Sequence, residues 1–225
     1  QRVFVRENEW EAAESVWLWR DGSASMHYRS ELTGTTKIER ATLLLLAMAT
    51  LLVRGSERVA LLGEDRVPSS GSATLSRFAA SLLRPEAMAR RADAPSLPKR
   101  ERLPRYAQVL LIGDFLSPLT EIDAALKGFA ADGVKGHLLQ VLDPAEEDLP
   151  FAGRTRFHGL EGEGAVTFGR AEGLRDDFAR RVALRHDSLL ALARTLGWSF
   201  ATHRTDRPPE TALLALYGAL AGGLT

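Results

Sequence analysis

The segment SVWLWRDGSAS, residues 15–25, decides how this chain folds. Its first part, Val16–Trp19, is a continuous apolar run, which predicts a short strand that is buried on both faces. The run stops at Arg20, and Asp21–Ser25 has the composition of a loop. A buried strand followed at once by acidic and hydroxyl side chains is typical of α/β proteins, in which ligands bind just beyond the strand ends.

Apolar patterning continues outward from this segment as an alternation of helices and strands. Lys37–Val53 has almost no polar face, which predicts a helix that is covered on several sides. Arg58–Leu62 predicts the second strand, and Arg66–Pro68 gives a weak indication of a third. Ser70-Gly71-Ser72 supplies capping residues for a helix over Ala73–Leu83.

The second half of the chain repeats the alternation after a basic, proline-rich connection, residues 84–105, which we expect to be solvated rather than part of the core. One helical turn is expected inside it, around Glu86–Arg91. The remaining predicted elements are strands at 108–112, 136–142 and 199–203, short strand-like pieces at 155–158 and 165–168, and helices at 117–132, 173–196 and 210–221. Repeated strand–helix units predict an α/β fold, a doubly wound and mostly parallel sheet with helices on both faces. We expect residues 1–225 to form a single domain.

Composition excludes several classes of protein. The chain has no cysteine, so disulfide scaffolds, zinc ribbons and thiol catalysis are excluded. Its 29 basic residues balance 29 acidic ones, which argues against nucleic-acid binding through a general basic field. The apolar runs Ala41–Val53 and Ala212–Leu224 are shorter than the roughly 18–20 residues that cross a bilayer. We expect no membrane span and a cytoplasmic location, although the chain begins with Gln1 and sequence upstream of it could change that location.

Two aspartates at predicted strand ends are the candidate functional residues. Asp21 follows the first strand, and Asp114 follows the strand at 108–112. Ser23 and Ser25 lie two and four residues after Asp21, so their hydroxyls and the carboxylate can face one point. Such an oxygen-rich point suits Mg²⁺, Mn²⁺ or Ca²⁺. The alternative is that Asp and Ser serve only as turn formers, because they hydrogen-bond to their own backbone.

These motifs resemble a known fold family. Asp21–Met26, Lys37 with the helix that follows it, Arg58–Leu61, and Leu110–Phe115 with its Asp114 resemble the von Willebrand factor type A (VWA) fold. A closer resemblance is to the bacterial family called domain of unknown function 58. It is carried by Val16–Met26, Ile112–Phe115, Val141–Pro144 with Glu146, and His203–Asp206. That family usually has an upstream segment with Pro-Gly-Asp and Asp-Trp patterns, which is missing here, so the chain resembles the VWA-like half of a longer protein.

The resemblance implies a metal-ion-dependent adhesion site. Asp21, Ser23 and Ser25 match its first loop and Asp114 its third, with Mg²⁺ as the expected cation and Mn²⁺ or Ca²⁺ as alternatives. A second loop supplies a threonine in such sites. The candidates for it here are Thr74 and Ser72, neither of which lies in a Gly-Gly-x-Thr context.

Neutral serine ligands leave the cation much of its positive charge, which favours binding over catalysis. The metal would accept a Glu or Asp side chain from a protein partner. In the resembling family the usual companion is a MoxR-type AAA+ ATPase, with suggested roles in chaperoning or complex assembly. The alternative is a metal-dependent hydrolase that uses the same strand-end loops, and a third possibility is a fold that has lost its metal. No Gly-x-Ser-x-Gly elbow and no Walker A motif occurs in the sequence.

Overall fold

A computed structural model of the chain describes residues 15–64, 67–91, 93–151, 153, 155–158, 165–168, 173 and 175–222. Its main element is a five-stranded sheet with the order β2-β1-β3-β4-β7, in which every neighbouring pair is parallel. A separate antiparallel hairpin consists of β5 and β6. The strands are β1 Ser15–Arg20, β2 Arg58–Leu61, β3 Gln108–Gly113, β4 Lys135–Leu142, β5 Thr155–His158, β6 Ala165–Phe168 and β7 Ser199–Arg204.

Helices cover both faces of the sheet. They are α1 Lys37–Arg54, α2 Ser72–Leu82, α3 Pro85–Met88, α4 Leu119–Ala130, α5 Ala145–Asp148, α6 Arg175–Thr195 and α7 Glu210–Ala221. Helices α1, α2 and α7 bury apolar side chains on one face, and α4 and α6 bury theirs on the other. Successive residues of a strand point to opposite faces, so Val16 and Leu18 of β1 pack under α1 while Trp17 and Trp19 pack on the other side. The predicted doubly wound α/β fold is confirmed.

Helix α1 begins at a fixed point because its first turn is capped. The Thr36 side chain accepts a hydrogen bond from the Glu39 backbone N–H, and the Glu39 carboxylate accepts one from the Thr36 backbone N–H. This capping box satisfies two N–H groups that the helix leaves unpaired. Lys37 is thereby held at the first helical position, directly beside the ends of the strands.

The strand order reverses between β1 and β3. From β1 the chain crosses to β2 on one side, whereas from β3 it continues through β4 to β7 on the other. The carboxyl ends of β1 and β3 therefore flank the crevice where open α/β sheets bind their ligands. Asp21 and Asp114, which follow these two strands, lie at that crevice.

The connection formed by residues 84–105 is only partly solvated, in contrast to the sequence prediction. Its predicted helical turn is present as α3, but Leu103 is buried in the core beside α4, so this end of the connection is not merely solvated. In the weakly predicted third strand, residue 66 lies outside the described residues. Ser69, just after it, forms an antiparallel bridge with Val59. Among the described residues, no helix is both long and apolar enough to cross a membrane.

Candidate functional site

The loop after β1 gathers three polar side chains in a buried position. The Asp21 backbone N–H donates to the Ile112 carbonyl at 2.8 Å, which extends the pairing of β1 with β3 by one residue. Ser23 donates its backbone N–H to Asp21 Oδ1 at 2.8 Å, and the hydroxyls of Ser23 and Ser25 lie 3.0 Å apart. All three side chains are almost fully buried. The predicted grouping of Asp21, Ser23 and Ser25 is thus present.

Asp21 reaches the end of β3 because residue 113 is glycine. A Cβ atom at Gly113 would lie 2.8 Å from Asp21 Cβ and 3.0 Å from its Oδ2, which is closer than real contacts allow. Asp114 follows directly and is also buried. Its Oδ1 accepts the Leu116 backbone N–H at 3.3 Å. The ends of β1 and β3 therefore place both carboxylates in one cluster.

Lys37 supplies a positive charge that the sequence interpretation did not assign to the site. Its side chain is fully buried, and Nζ lies 2.9 Å from Asp114 Oδ2 and 2.5 Å from Glu146 Oε1. Burial opposes the charged form of Lys37, but the two carboxylates outweigh burial and raise its pKa. One signal was available in the sequence, since a lysine at the first position of a helix is unfavourable unless an acidic partner compensates for the helix dipole.

The end of β4 contributes a third group of polar residues. The Glu146 Oε2 atom accepts the Asp143 backbone N–H at 2.8 Å, which leaves Oε1 for Lys37. Asp143 in turn accepts the Ser30 backbone N–H, at 2.8 Å, from the segment after β1. Gln140 donates its Nε2 to the Asp114 carbonyl at 3.1 Å. The three strand ends are thus tied into one network, of which the sequence interpretation named only the β1 and β3 members as site residues.

The charge balance of this network is unusual for a buried cluster. Asp21 Oδ2 is buried and has no hydrogen-bond partner among the residues that the structure describes. Burial, reinforced by the nearby negative charge of Asp114, raises the pKa of Asp21 to about 7. Burial also raises the pKa of Glu146, against the opposing effect of Lys37. Lys37 therefore pairs directly with two carboxylates, Asp114 and Glu146, and the charge on Asp21 has no direct partner among the described residues.

The structure does not bring Thr74 or Ser72 to this site. The Thr74 hydroxyl lies 2.9 Å from the Ser69 hydroxyl, and Ser69 pairs with Val59 near the beginning of β2. In the pairing of β1 with β2, Val59 is opposite Val16. Val16 precedes Asp21 by five residues, and five residues of a strand span about 16 Å. Ser72 is exposed at the start of α2. Both lie toward the amino ends of the strands, so neither fills the second-loop position.

The connection before β3 passes close to the site instead. Arg20 Nη2 donates to the Ala87 carbonyl at 3.0 Å, and the Ser96 hydroxyl lies 2.7 Å from that of Ser117, just beyond Asp114. A Cβ placed on Gly22 would touch Ala94 at 3.9 Å. This segment, rather than α2, borders the loop that carries Asp21.

The oxygen atoms at the site are of the chemical type that binds divalent cations. The unpartnered Asp21 oxygen lies in the same cluster as two serine hydroxyls and the Asp114 carboxylate, which are the hard oxygen donors that Mg²⁺ prefers. No set of three His, Cys, Asp or Glu side chains among the described residues is arranged to hold a metal. The Lys37 ammonium partly neutralises the negative charge of the cluster through Asp114 Oδ2.

Comparison with known proteins agrees with this architecture. The model of the family described as "Protein of unknown function DUF58" matches residues 1–188. The structure of the conserved hypothetical protein BatB from Bacteroides thetaiotaomicron is similar, with a TM-score of 0.52 and 17% identity, over 94% of this chain and 98% of that one. At this identity the similarity shows the fold alone.

Two further solved structures match more distantly. An aerotolerance-related membrane protein from Bacteroides fragilis NCTC 9343 with multiple mutations to serines has a TM-score of 0.49 and 15% identity, over 93% of this chain and 99% of that one. The SpRpn10 VWA domain has a TM-score of 0.43 and 8% identity, over 90% of this chain and 94% of that one. No curated protein matches the chain. The resemblance to the DUF58 family that was inferred from the sequence is confirmed by the match of the family model.

Proposed function

The chain belongs to the DUF58 family, and from this premise and the geometry of the strand ends we propose that it is a divalent-metal-dependent protein-interaction module. A VWA-like DUF58 domain suggests protein interaction in general. More specifically, we propose that the partner docks on the edge formed by the carboxyl ends of β1, β3 and β4. The cation would be held there by Asp21, Ser23, Ser25 and Asp114.

The observation that carries the proposal is the buried Asp21 oxygen without a partner. An unpaired buried carboxylate destabilises a fold, whereas a bound cation would compensate for its charge. The two serine hydroxyls beside it add oxygen donors without adding negative charge. The metal supplies a Lewis-acidic centre that attracts a carboxylate from outside.

The protein's own residues give that centre a defined position. Lys37 fixes Asp114 and Glu146, while the Ser23 backbone N–H orients Asp21. Because these groups are held by α1, β1, β3 and β4 together, the edge is organised before any partner arrives. Preorganisation of this kind reduces the entropy lost on binding.

The proposed partner is a protein that presents a Glu or Asp side chain to the cation. The family resemblance favours a MoxR-type AAA+ ATPase, with this chain acting as its accessory in chaperoning or complex assembly. A contact of this kind is reversible by chelation, so the proposal can be tested separately for metal binding and for partner binding.

Metal binding is tested by thermal unfolding with and without Mg²⁺. We expect millimolar Mg²⁺ to raise the melting temperature of the wild type, because a ligand that binds only the native state stabilises it, by about 2.7 kcal/mol at 100 times its Kd. Asp21→Ala and Ser23→Ala should lose this response. Thr74→Ala is the matched control and should keep it, since Thr74 lies away from the site. Equal Mg²⁺ responses in the wild type and Asp21→Ala would contradict the proposal.

Partner binding is tested by co-precipitation with a purified MoxR-type ATPase. We expect complex formation in Mg²⁺, its loss in EDTA, and its absence with Asp21→Ala. Assays with p-nitrophenyl phosphate and p-nitrophenyl acetate examine the alternative of a metal-dependent hydrolase. Turnover that requires both Mg²⁺ and Asp21 would replace the interaction proposal with that alternative.

A further inference from the structure

The four side chains proposed to hold the cation are all buried in this structure. Asp21 is 0% exposed, Asp114 1%, Ser23 2% and Ser25 4%. A water molecule hardly reaches them, and a Mg²⁺ ion that keeps part of its hydration shell is larger than one water molecule. The arrangement is therefore closed, and a neighbouring part of the chain has to move before a cation can enter.

A segment of the connection before β3 passes over this edge of the sheet from one face to the other. We call residues 89–95 the strap; the structure describes all of them except position 92. Met88, just before the strap, packs against the core cluster under α1. Leu97, two residues after it, packs against the cluster under α4, on the opposite face. The strap is thus fixed at both ends and crosses the sheet edge between them.

The strap crosses at the loop after β1, which carries the two serine hydroxyls of the site. At the start of this loop, a Cβ on Gly22 would touch the Cβ of Ala94 at 3.9 Å. At the end of the loop, burial lowers the pKa of His27, and the positive charges of Arg20 and Arg90 lower it further. Because Arg90 belongs to the strap, the strap borders this loop at both of its ends.

The strap is held more weakly than the other neighbours of the site. None of its described residues lies in a helix or strand, and most of them are exposed, namely Ala89, Arg90, Arg91, Asp93 and Pro95. A cavity of about 240 Å³ lies between the strap and the end of β1, so their contact is incomplete. Helix α1 and strands β3 and β4 have regular backbone hydrogen bonds instead. Segments with few buried contacts open at the lowest cost in free energy.

We propose that the strap is a lid on the cation site. It covers the loop in the closed state described here, and it lifts between its anchors at Met88 and Leu97 to admit the cation and then the carboxylate of the partner. The apolar anchors stay buried during this motion, which is confined to the exposed residues between them. This inference rests on the proposed function, because it concerns access to the same cation.

The test is a disulfide that fastens the strap to the loop, made by Gly22→Cys with Ala94→Cys in the full chain. Disulfides need a Cβ–Cβ separation of roughly 3.5–4.5 Å, and the separation here is 3.9 Å. Gly22 has no left-handed backbone angle, and the chain has no cysteine of its own. Both redox forms are titrated with MgCl₂ by isothermal titration calorimetry. We expect the reduced form to bind Mg²⁺ like the wild type and the oxidised form to bind it at least tenfold more weakly.

Ser96→Cys with Ser117→Cys is the matched control, because these hydroxyls lie 2.7 Å apart beside the Leu97 anchor, which does not move. Its oxidised form should bind Mg²⁺ like the wild type. Hydrogen–deuterium exchange without metal is a second measurement, and the 22–94 disulfide should slow exchange at residues 22–27. Failure of this disulfide to form under mild oxidation, or equal exchange in the two redox forms, would overturn the lid.

The two proposals fail in different ways. If Mg²⁺ produced no binding heat in any form while the disulfide slowed exchange in the loop, the strap would be supported and the metal-dependent function contradicted. If Mg²⁺ bound equally to the oxidised and reduced forms but not to Asp21→Ala, the cation site would be supported and the lid overturned.

Discussion

Lys37 is the residue on which the charge balance of the strand ends depends. Its ammonium group forms ion pairs with the buried Asp114 carboxylate and with the partly exposed Glu146 carboxylate. The Tyr28 ring centre lies 6.0 Å from Nζ and adds a weak cation–π contact. A buried ion pair adds little net stability compared with apolar packing, but the loss of one member leaves an uncompensated charge.

We therefore expect Lys37→Met to lower the free energy of unfolding by about 3 kcal/mol, measured by urea denaturation. Adding Glu146→Gln to it should restore part of the loss, because the second change removes one of the unpaired charges. Lys127→Met is the control, since the pair of Lys127 and Asp123 is exposed and should contribute under about 1 kcal/mol. If Lys37→Met and Lys127→Met lowered the free energy of unfolding equally, burial would not determine how much an ion pair contributes to stability.

At the scale of single elements, β4 is held by a close approach that only glycine permits. A Cβ at Gly136 would lie 1.9 Å from the ring of Trp198, the residue just before β7. Trp198 is buried with α4 and α6 in the same core cluster. Because Gly136 has no side chain, the turn that precedes β7 can pack this close to β4.

Gly136→Ala should consequently destabilise the fold by about 1–3 kcal/mol through overpacking, seen as a lower melting temperature. The control is Gly34→Ala, because a Cβ at Gly34 would meet no atom within 4 Å and the residue has no left-handed backbone angle. Gly34→Ala should leave the melting temperature nearly unchanged. If Gly136→Ala melts like the wild type, the ring and strand must separate without loss of packing.

For the whole molecule, the sequence predicted the sheet well and the site only in part. Buried parallel strands are continuous apolar runs, so β1, β3 and β4 were evident from local pattern, and the end of each strand located Asp21 and Asp114. Lys37 was not predicted as a site residue, because its partners Asp114 and Glu146 are 77 and 109 positions away in sequence. The prediction that Thr74 belongs to the site was wrong, because local sequence does not reveal at which edge of the sheet a helix begins.

The response of the whole fold to acid can be anticipated from His137, in the middle of the sheet. His137 Nδ1 lies 2.8 Å from the Ser199 hydroxyl of β7, and Nε2 lies 2.9 Å from Gln108 Oε1 of β3. Burial, with a smaller contribution from Lys135, lowers the pKa of His137 from 6.5 to about 4. The folded state thus holds the ring neutral while the unfolded chain takes up a proton.

Above pH 6.5 the ring is neutral in both states and contributes nothing to the pH dependence. Between pH 6.5 and about 4 only the unfolded chain binds the proton, so the free energy of unfolding should fall, by up to about 3 kcal/mol from this residue. Other groups titrate in the same range, so the measurement is the difference between the wild type and His137→Gln in urea denaturation at pH 7, 5.5 and 4.5. The variant should lose less stability on acidification, because glutamine has no proton to gain. Parallel pH profiles for the two proteins would mean that His137 is protonated equally in the folded and unfolded states.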